Sequence, residues 1–238
     1  MNIEYYFSMK LISLFKLYSL THIAVLLMTI FIIIFLITIL KDKNDSVKSI
    51  FRYTLAIVIM VAEISYLLWI IANDKFDPLI HLPFNICSIC LFIAFFMLLT
   101  KKKIFFEILY FWGISGSCYA LIFPNVIYGF PHFRFFEFFI AHGSILLSVF
   151  YMIFIEKYIL DRKSLLTVSI FTGFYIIFIF TFNLITGANY LFLKNKPVFR
   201  SFYDFLGPWP IYPFLLIPFV TLLFILMYLI PKIRIRKK

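Results

Sequence analysis

The sequence predicts an all-α, polytopic membrane protein with seven transmembrane helices, its N-terminus outside and its C-terminus cytoplasmic. Three observations carry that prediction. Apolar residues make up 64% of the 238 positions and charged residues only 14%, and mean hydropathy is +1.03, a balance unlike that of a soluble domain. Uncharged runs of about 20 residues, long enough to cross the bilayer as helix, recur along the chain. Lys and Arg gather in alternate loops, 15 on one side against 7 on the other, and the richer set belongs in the cytoplasm.

Residues 1–19 are apolar with Lys10 and Lys16 interspersed and read as an amphipathic interfacial helix. The first span is Leu20 to Leu40, too long for a signal-peptide core and without a small-residue cleavage site before Lys41. The second runs from about Tyr53 to Ala72 and the third from about Leu79 to Thr100. In the third, Asp77-Pro78 reads as N-cap and N1. Pro83 then falls inside the helix as a kink, or else the helix starts at Pro83. The fourth covers Ile104 to Phe123, the fifth Phe135 to Ile155, the sixth Ser164 to Ile185 and the seventh Ile211 to Ile230. Each must be helical, because a backbone in hydrocarbon has to satisfy its own hydrogen bonds. Residues 186–210 form a long outer loop rich in aromatics and Pro, the kind of loop that serves as a lid. No repeat and no second domain is legible, so residues 1–238 read as one seven-helix domain of the cell membrane.

Composition also removes function classes. The net charge of +11 is explained by loop orientation, so nucleic acid is not an expected partner; membrane lipids are. The 34 Phe go with abundant Ile, Lys, Asn and Tyr, as an AT-rich coding genome produces. Cys87 and Cys90 make a C-x-x-C, but inside an apolar run rather than a disulfide framework. No His-x-x-x-His pair and no Cys/His spacing fits zinc, and no Walker-type loop is present. Neither metal nor cofactor is implied, and nothing in the sequence sets an oligomeric state.

What remains is a set of ionisable and polar residues inside or beside the spans. Such residues are costly in hydrocarbon and usually line an internal cavity. Cys87 and His142 fall at similar depth, roughly 10 Å below the outer interface at 1.5 Å per residue. Cys87 lies near a helix N-terminus or kink, where a nucleophile is favoured; the alternative is a small buried hydrophobe. His142 is either its base or a structural ring bonding a neighbouring helix. Gly143 beside it lets another group approach closely. Glu63, near the middle of the second span, either orients an imidazole or braces helices. His22, His81, Asn85, Asn189, Tyr190, Asp204 and Trp209 lie toward the same outer face and form the expected substrate-binding set, with His132 in the outer loop. Gly113, Ser115, Gly116 and Ser117 read as close helix packing.

Several stretches are shared, in the same order, with a known group. Leu82 to Cys87 (L-P-F-N-I-C), Phe111 to Gly116 with Pro124, Phe138 to Gly143 (F-F-I-A-H-G), Asn189 to Pro197 and Asp204 to Tyr212 (D-F-L-G-P-W-P-I-Y) resemble the YwaF-like bacterial membrane proteins. Those are related to the transmembrane protein 164 family. The resemblance implies acyl transfer on phospholipid with a membrane cysteine as nucleophile, which maps to Cys87, and with His142 as the matching base. One departure is Asn85, where bacterial members often carry His. The expected function is a membrane-embedded acyl-transfer enzyme, with two alternatives: a transporter component that binds a small polar solute in the same outward-facing pocket, or a non-enzymatic scaffold inside a larger membrane complex. In the transporter, Pro213 and Pro218 would be gating kinks.

Overall fold

The computed structural model describes residues 4–10, 13–197 and 202–235. It is all-helical: α1 (Glu4–Phe7), α2 (Leu20–Lys41), α3 (Asp45–Ala72), α4 (Ile86–Thr100), α5 (Lys103–Ile122), α6 (Phe133–Phe154), α7 (Arg162–Thr186) and α8 (Ile211–Ile235), with two short 3-10 turns at Tyr190–Phe192 and Phe202–Leu206. Among the described residues six helices are long and apolar enough to cross a membrane. Of the seven expected spans the exception is α4, which corrects the bounds of the third. At 15 residues it is about 22 Å long. Proline explains the shortening: a ring at Pro83 disfavours helical geometry at Leu82, so no helix continues from Pro78 through this point. Residues 77–85 form turns instead, with Asp77 Oδ1 accepting from the Leu79 N–H at 2.8 Å and the Asp77 carbonyl from the His81 N–H at 2.8 Å. Asp77 is therefore a turn residue and not the cap of the third helix, and Pro83 makes no kink.

The chain divides into two compact units, residues 1–76 with 86–159, and residues 77–85 with 160–238. The first unit is an up-and-down bundle of α2 to α6. Its basic end is tied by side chains. Arg52, buried on α3, donates to the carbonyls of Leu98 and Leu99 at the end of α4, where a cation meets the negative end of the helix dipole. Lys101 pairs with Glu156 at 2.7 Å, and the Tyr151 hydroxyl donates to the Lys48 carbonyl at 2.9 Å. Helix α5 lies close against its neighbours because its glycines are bare. A Cβ on Gly113 would stand 2.9 Å from Ile145 of α6, and one on Gly116 would stand 3.3 Å from Ile86 of α4. The expected close-packing role of these glycines is what the helices use.

The opposite end of this bundle is crossed by the N-terminal segment. Only Glu4–Phe7 is helical there; residues 1–3, 11 and 12 of the expected interfacial helix lie outside the described residues. The rest is a strap. Trp69 Nε1 donates to the Phe7 carbonyl at 2.7 Å. The Phe15 N–H donates to the Ile127 carbonyl, and the Gly129 N–H to the Ser13 carbonyl, each at 2.8 Å. The strap forgoes helix because its carbonyls find donors on the bundle. Gly129 fits here because a Cβ would collide with Ser13 Oγ at 2.7 Å.

The second unit is organised around the 77–85 turns, α7 and α8. Phe84 is ringed by Phe178, Phe182 and Tyr190, at centroid distances of 5.8, 5.0 and 5.4 Å. Asp161 and Ser164 form a reciprocal capping box at the start of α7. At its end Gly187 takes the left-handed conformation, φ 83°, that a residue with a Cβ rarely adopts. The expected outer loop is structured where it is described, with residues 198–201 of it outside the described residues. Helix α8 runs from Ile211 through Pro213 and Pro218 as one element.

Candidate functional site

The candidate residues fall into the two units. Cys87, His142, Glu63 and His22 belong to the first; His81, Asn85, Asn189, Tyr190, Asp204 and Trp209 belong to the second.

Cys87 is the second residue of α4. It is a free thiol and only half-buried, lying 3.6 Å from the position a Cβ would take on Gly116 of α5. The late start of α4 therefore puts this thiol in the first helical turn, where backbone N–H groups have no partner within the helix and the dipole favours negative charge. The antiparallel register of α5 and α6 sets its depth. Gly113 faces Ile145, so three residues further along α5 Gly116 is level with His142. Cys87, packed on Gly116, shares that level, about 9 Å in from the end of α5.

His142 is buried on α6. Its Nδ1 lies 2.7 Å from the Phe138 carbonyl, and since a carbonyl only accepts, Nδ1 carries the proton. Nε2 of the neutral ring then holds the lone pair, as a general base requires. The ring also rests on Phe138, 4.2 Å between centroids. The close neighbour admitted by Gly143 is Thr29 of α2. Among the described residues no hydrogen bond joins Cys87 to His142, although thiol and imidazole share a level. Glu63 does not orient the ring, because the Phe138 carbonyl occupies Nδ1.

Glu63 belongs to a charged cluster between α3 and α6 that includes residues not singled out in the sequence. Arg134, counted there among loop charges, is the second residue of α6. Its guanidinium lies over the Tyr66 ring at 4.1 Å, forms an ion pair with Glu137 one turn on, and interacts electrostatically with Glu63. The signal was present, since Arg134 and Glu137 are spaced i,i+3 at a helix start, the spacing of a same-face pair. Ser117 was read as packing only. Its hydroxyl is buried without a hydrogen-bond partner, one residue from Gly116.

The expected substrate-binding residues are largely engaged within their own units. In the first, His22 accepts from the Tyr18 N–H at Nδ1 and donates from Nε2 to the Leu121 carbonyl at 2.9 Å. In the second, the Tyr190 hydroxyl accepts from the Leu82 N–H at 2.9 Å and donates to the Pro78 carbonyl at 2.7 Å. Asn189 closes a turn through Lys194 and Asn195. Asn85 Oδ1 accepts from the Leu191 N–H, and His81 Nδ1 lies 3.0 Å from the Asp77 N–H. Asp204 and Trp209 are exposed. His132 is not a loop residue but the N-cap of α6, accepting from the Arg134 N–H. Among the described residues no group of three or more His, Cys, Asp and Glu is placed to hold a metal ion.

Comparison with known proteins adds to this geometry. The sequence model of the TMEM164 family matches residues 17–228, which takes in α2 to α7 and most of α8. The chain belongs to the TMEM164 family. This TMEM164-family chain is also similar to an uncharacterized protein of Treponema pallidum (strain Nichols), 27% identical over 150 residues, or 63% of this chain; it covers 61% of that relative's length. No solved structure matches. The match and the six long apolar helices make this a multi-pass membrane protein.

Proposed function

We propose that this chain is a membrane-embedded acyl-transfer enzyme that acts on phospholipid, with Cys87 as nucleophile and His142 as base. One observation carries the reading. A short helix starts inside the bundle with a thiol in its first turn, level with an imidazole whose Nε2 holds the ring's lone pair. The Cys87 sulfur attacks the ester carbonyl while its proton passes to His142 Nε2, through water where the two do not touch. The open N–H groups of the first turn of α4 stabilise the developing oxyanion. The C–O bond breaks, the departing lysophospholipid hydroxyl takes the proton, and a thioester remains on Cys87. An acceptor hydroxyl then gives its proton to Nε2 and attacks the thioester, which restores the thiol. The basic end of the first unit, with Lys41, Arg52 and Lys101 to Lys103, faces the cytoplasm in this reading, and the membrane is the cell membrane.

The test uses purified protein in vesicles containing a phospholipid with a labelled acyl chain. Wild type accumulates a hydroxylamine-sensitive label and transfers it to lysophospholipid. Cys87→Ala does neither while unfolding at the wild-type temperature. Acyl transfer by Cys87→Ala at the wild-type rate would overturn the mechanism. A transporter reading has one observation in its favour, a helix that begins within the bundle near buried charges. It predicts solute uptake that survives Cys87→Ala.

A further inference from the structure

Ser117 is buried on α5 with 1% of its surface exposed, and its hydroxyl has no hydrogen-bond partner. A Ser or Thr inside a helix ordinarily avoids this by donating to a carbonyl of the preceding turn. Ser115 does so to Phe111 at 2.5 Å, Ser148 to Ile145 at 2.7 Å and Thr29 to Val25 at 2.8 Å. Ser117 does not use the Gly113 carbonyl in this way. A hydroxyl left unpaired in an apolar interior is costly, and that cost is removed by a partner that is not part of the chain.

Helix register says what lies near this hydroxyl. Ser117 follows Gly113 by four residues, so the two share a face of α5, one turn apart. Gly113 meets Ile145 of α6. In an antiparallel pair Ser117 then lies opposite Ala141, one residue from His142. The residue before Ser117 is Gly116, whose Cβ position is 3.6 Å from the Cys87 sulfur. One turn of α5 thus adjoins the thiol through Gly116 and the imidazole through Ser117. Among the described residues His142 makes its hydrogen bond through Nδ1, to the Phe138 carbonyl, and none through Nε2. The two open atoms have complementary needs, since Nε2 only accepts while a hydroxyl both donates and accepts. They are not bonded to each other. A single water serves both and still has a lone pair for the Cys87 S–H, which gives it the three or so partners usual for a buried water.

We propose that Ser117 is a positioning residue whose hydroxyl, with His142 Nε2, holds the water that carries the Cys87 proton to the imidazole. The water accepts from the Ser117 hydroxyl, donates to Nε2 and faces the thiol. It takes the thiol proton as it hands one of its own to Nε2. The S–H bond breaks, an N–H bond forms, and thiolate, imidazolium and water remain. This inference rests on the Cys87–His142 pairing of the proposed function and not on the lipid substrate.

The experiment reads the thiol directly, without lipid turnover. The full chain in detergent is treated with N-ethylmaleimide at neutral pH, and modification at Cys87 is followed by mass spectrometry. Wild type is compared with Ser117→Ala, His142→Phe and the double variant, with His142→Gln in place of His142→Phe should the latter not fold. Each single substitution is expected to slow modification several-fold. The double variant is expected to be no slower than the slower single one, because both changes interrupt one path and their effects do not add. Ser117→Ala should unfold at or above the wild-type temperature, since no hydrogen bond within the chain is lost. Four results overturn the proposal: a wild-type Cys87 that the reagent does not modify, an unchanged rate in Ser117→Ala, effects that multiply in the double variant, or a lower unfolding temperature for Ser117→Ala, which marks the hydroxyl as structural. Loss of acyl transfer in the vesicle assay with this coupling intact would instead sink the lipid reading alone.

Discussion

Single residues in this chain are governed by what they touch more than by what they are. Cys87 could be placed from sequence because Pro83 marks a helix boundary, but the helix began later than expected, and that delay is what puts the thiol in a first turn. His142 was legible as an unusual imidazole in an apolar run. That its Nδ1 is claimed by its own helix at Phe138 is a matter of rotamer, which no sequence pattern encodes. Arg134 was misjudged because it sits one residue inside a helix start, where boundary estimates are least certain. Two predictions belong at this scale. Arg134→Met leaves the Glu137 carboxylate buried without its counter-charge, so thermal unfolding in detergent should show a loss on the order of 3–5 kcal/mol. His142→Phe keeps an aromatic ring against Phe138 but removes the proposed base. Acyl transfer should fall by about 10²–10⁴-fold, while the circular dichroism spectrum and unfolding temperature stay near wild type.

Helices were the most legible elements. Six expected spans are present as helices of spanning length because an apolar run in lipid has only one way to satisfy its backbone. The third is present but starts late, at Ile86, for the same physical reason seen from the other side: turns at residues 77–85 are tolerable because Tyr190 and the Asp77 carboxylate supply the hydrogen bonds that helix would have supplied. Gly113 and Gly116 of α5 were legible as packing residues, and the structure supplies their neighbours, Ile145 and Ile86. Gly113 is the sharpest case, since a side chain there meets Ile145 at once. Gly113→Leu should therefore destabilise the α5/α6 pair by about 1–3 kcal/mol, read as a lower unfolding temperature in detergent. Gly173→Leu is the control: a Cβ at Gly173 meets nothing within 4 Å, and that variant should unfold as wild type does.

At the scale of the whole chain, the N-terminal strap adds a pH dependence. His132 caps α6 through Nδ1 and donates from Nε2 to the Ser8 carbonyl at 2.9 Å. It lies between Tyr128, stacked at 4.2 Å, and Trp69. Burial lowers its pKa from the ordinary 6.5, the Ser8 carbonyl opposes that in part, and the Arg134 charge adds to it. The docked strap thus favours the neutral ring, so its contribution to stability is complete above 6.5 and is lost as pH falls below that value toward the lower folded pKa. Protection of the Gly129 and Phe15 amides against hydrogen exchange should weaken on acidification in wild type and become pH-independent in His132→Gln. What the amino-acid sequence determined by itself was the solvent and the secondary structure: a chain this apolar must be helical in a membrane, because unpaired backbone is intolerable there. Only the tertiary structure decided which polar side chains pack together, which donor each acceptor finds, and that Arg134 joins Glu63 and Glu137 between α3 and α6. Those outcomes turn on rotation and register between helices, and apolar runs of nearly uniform hydropathy leave both unspecified.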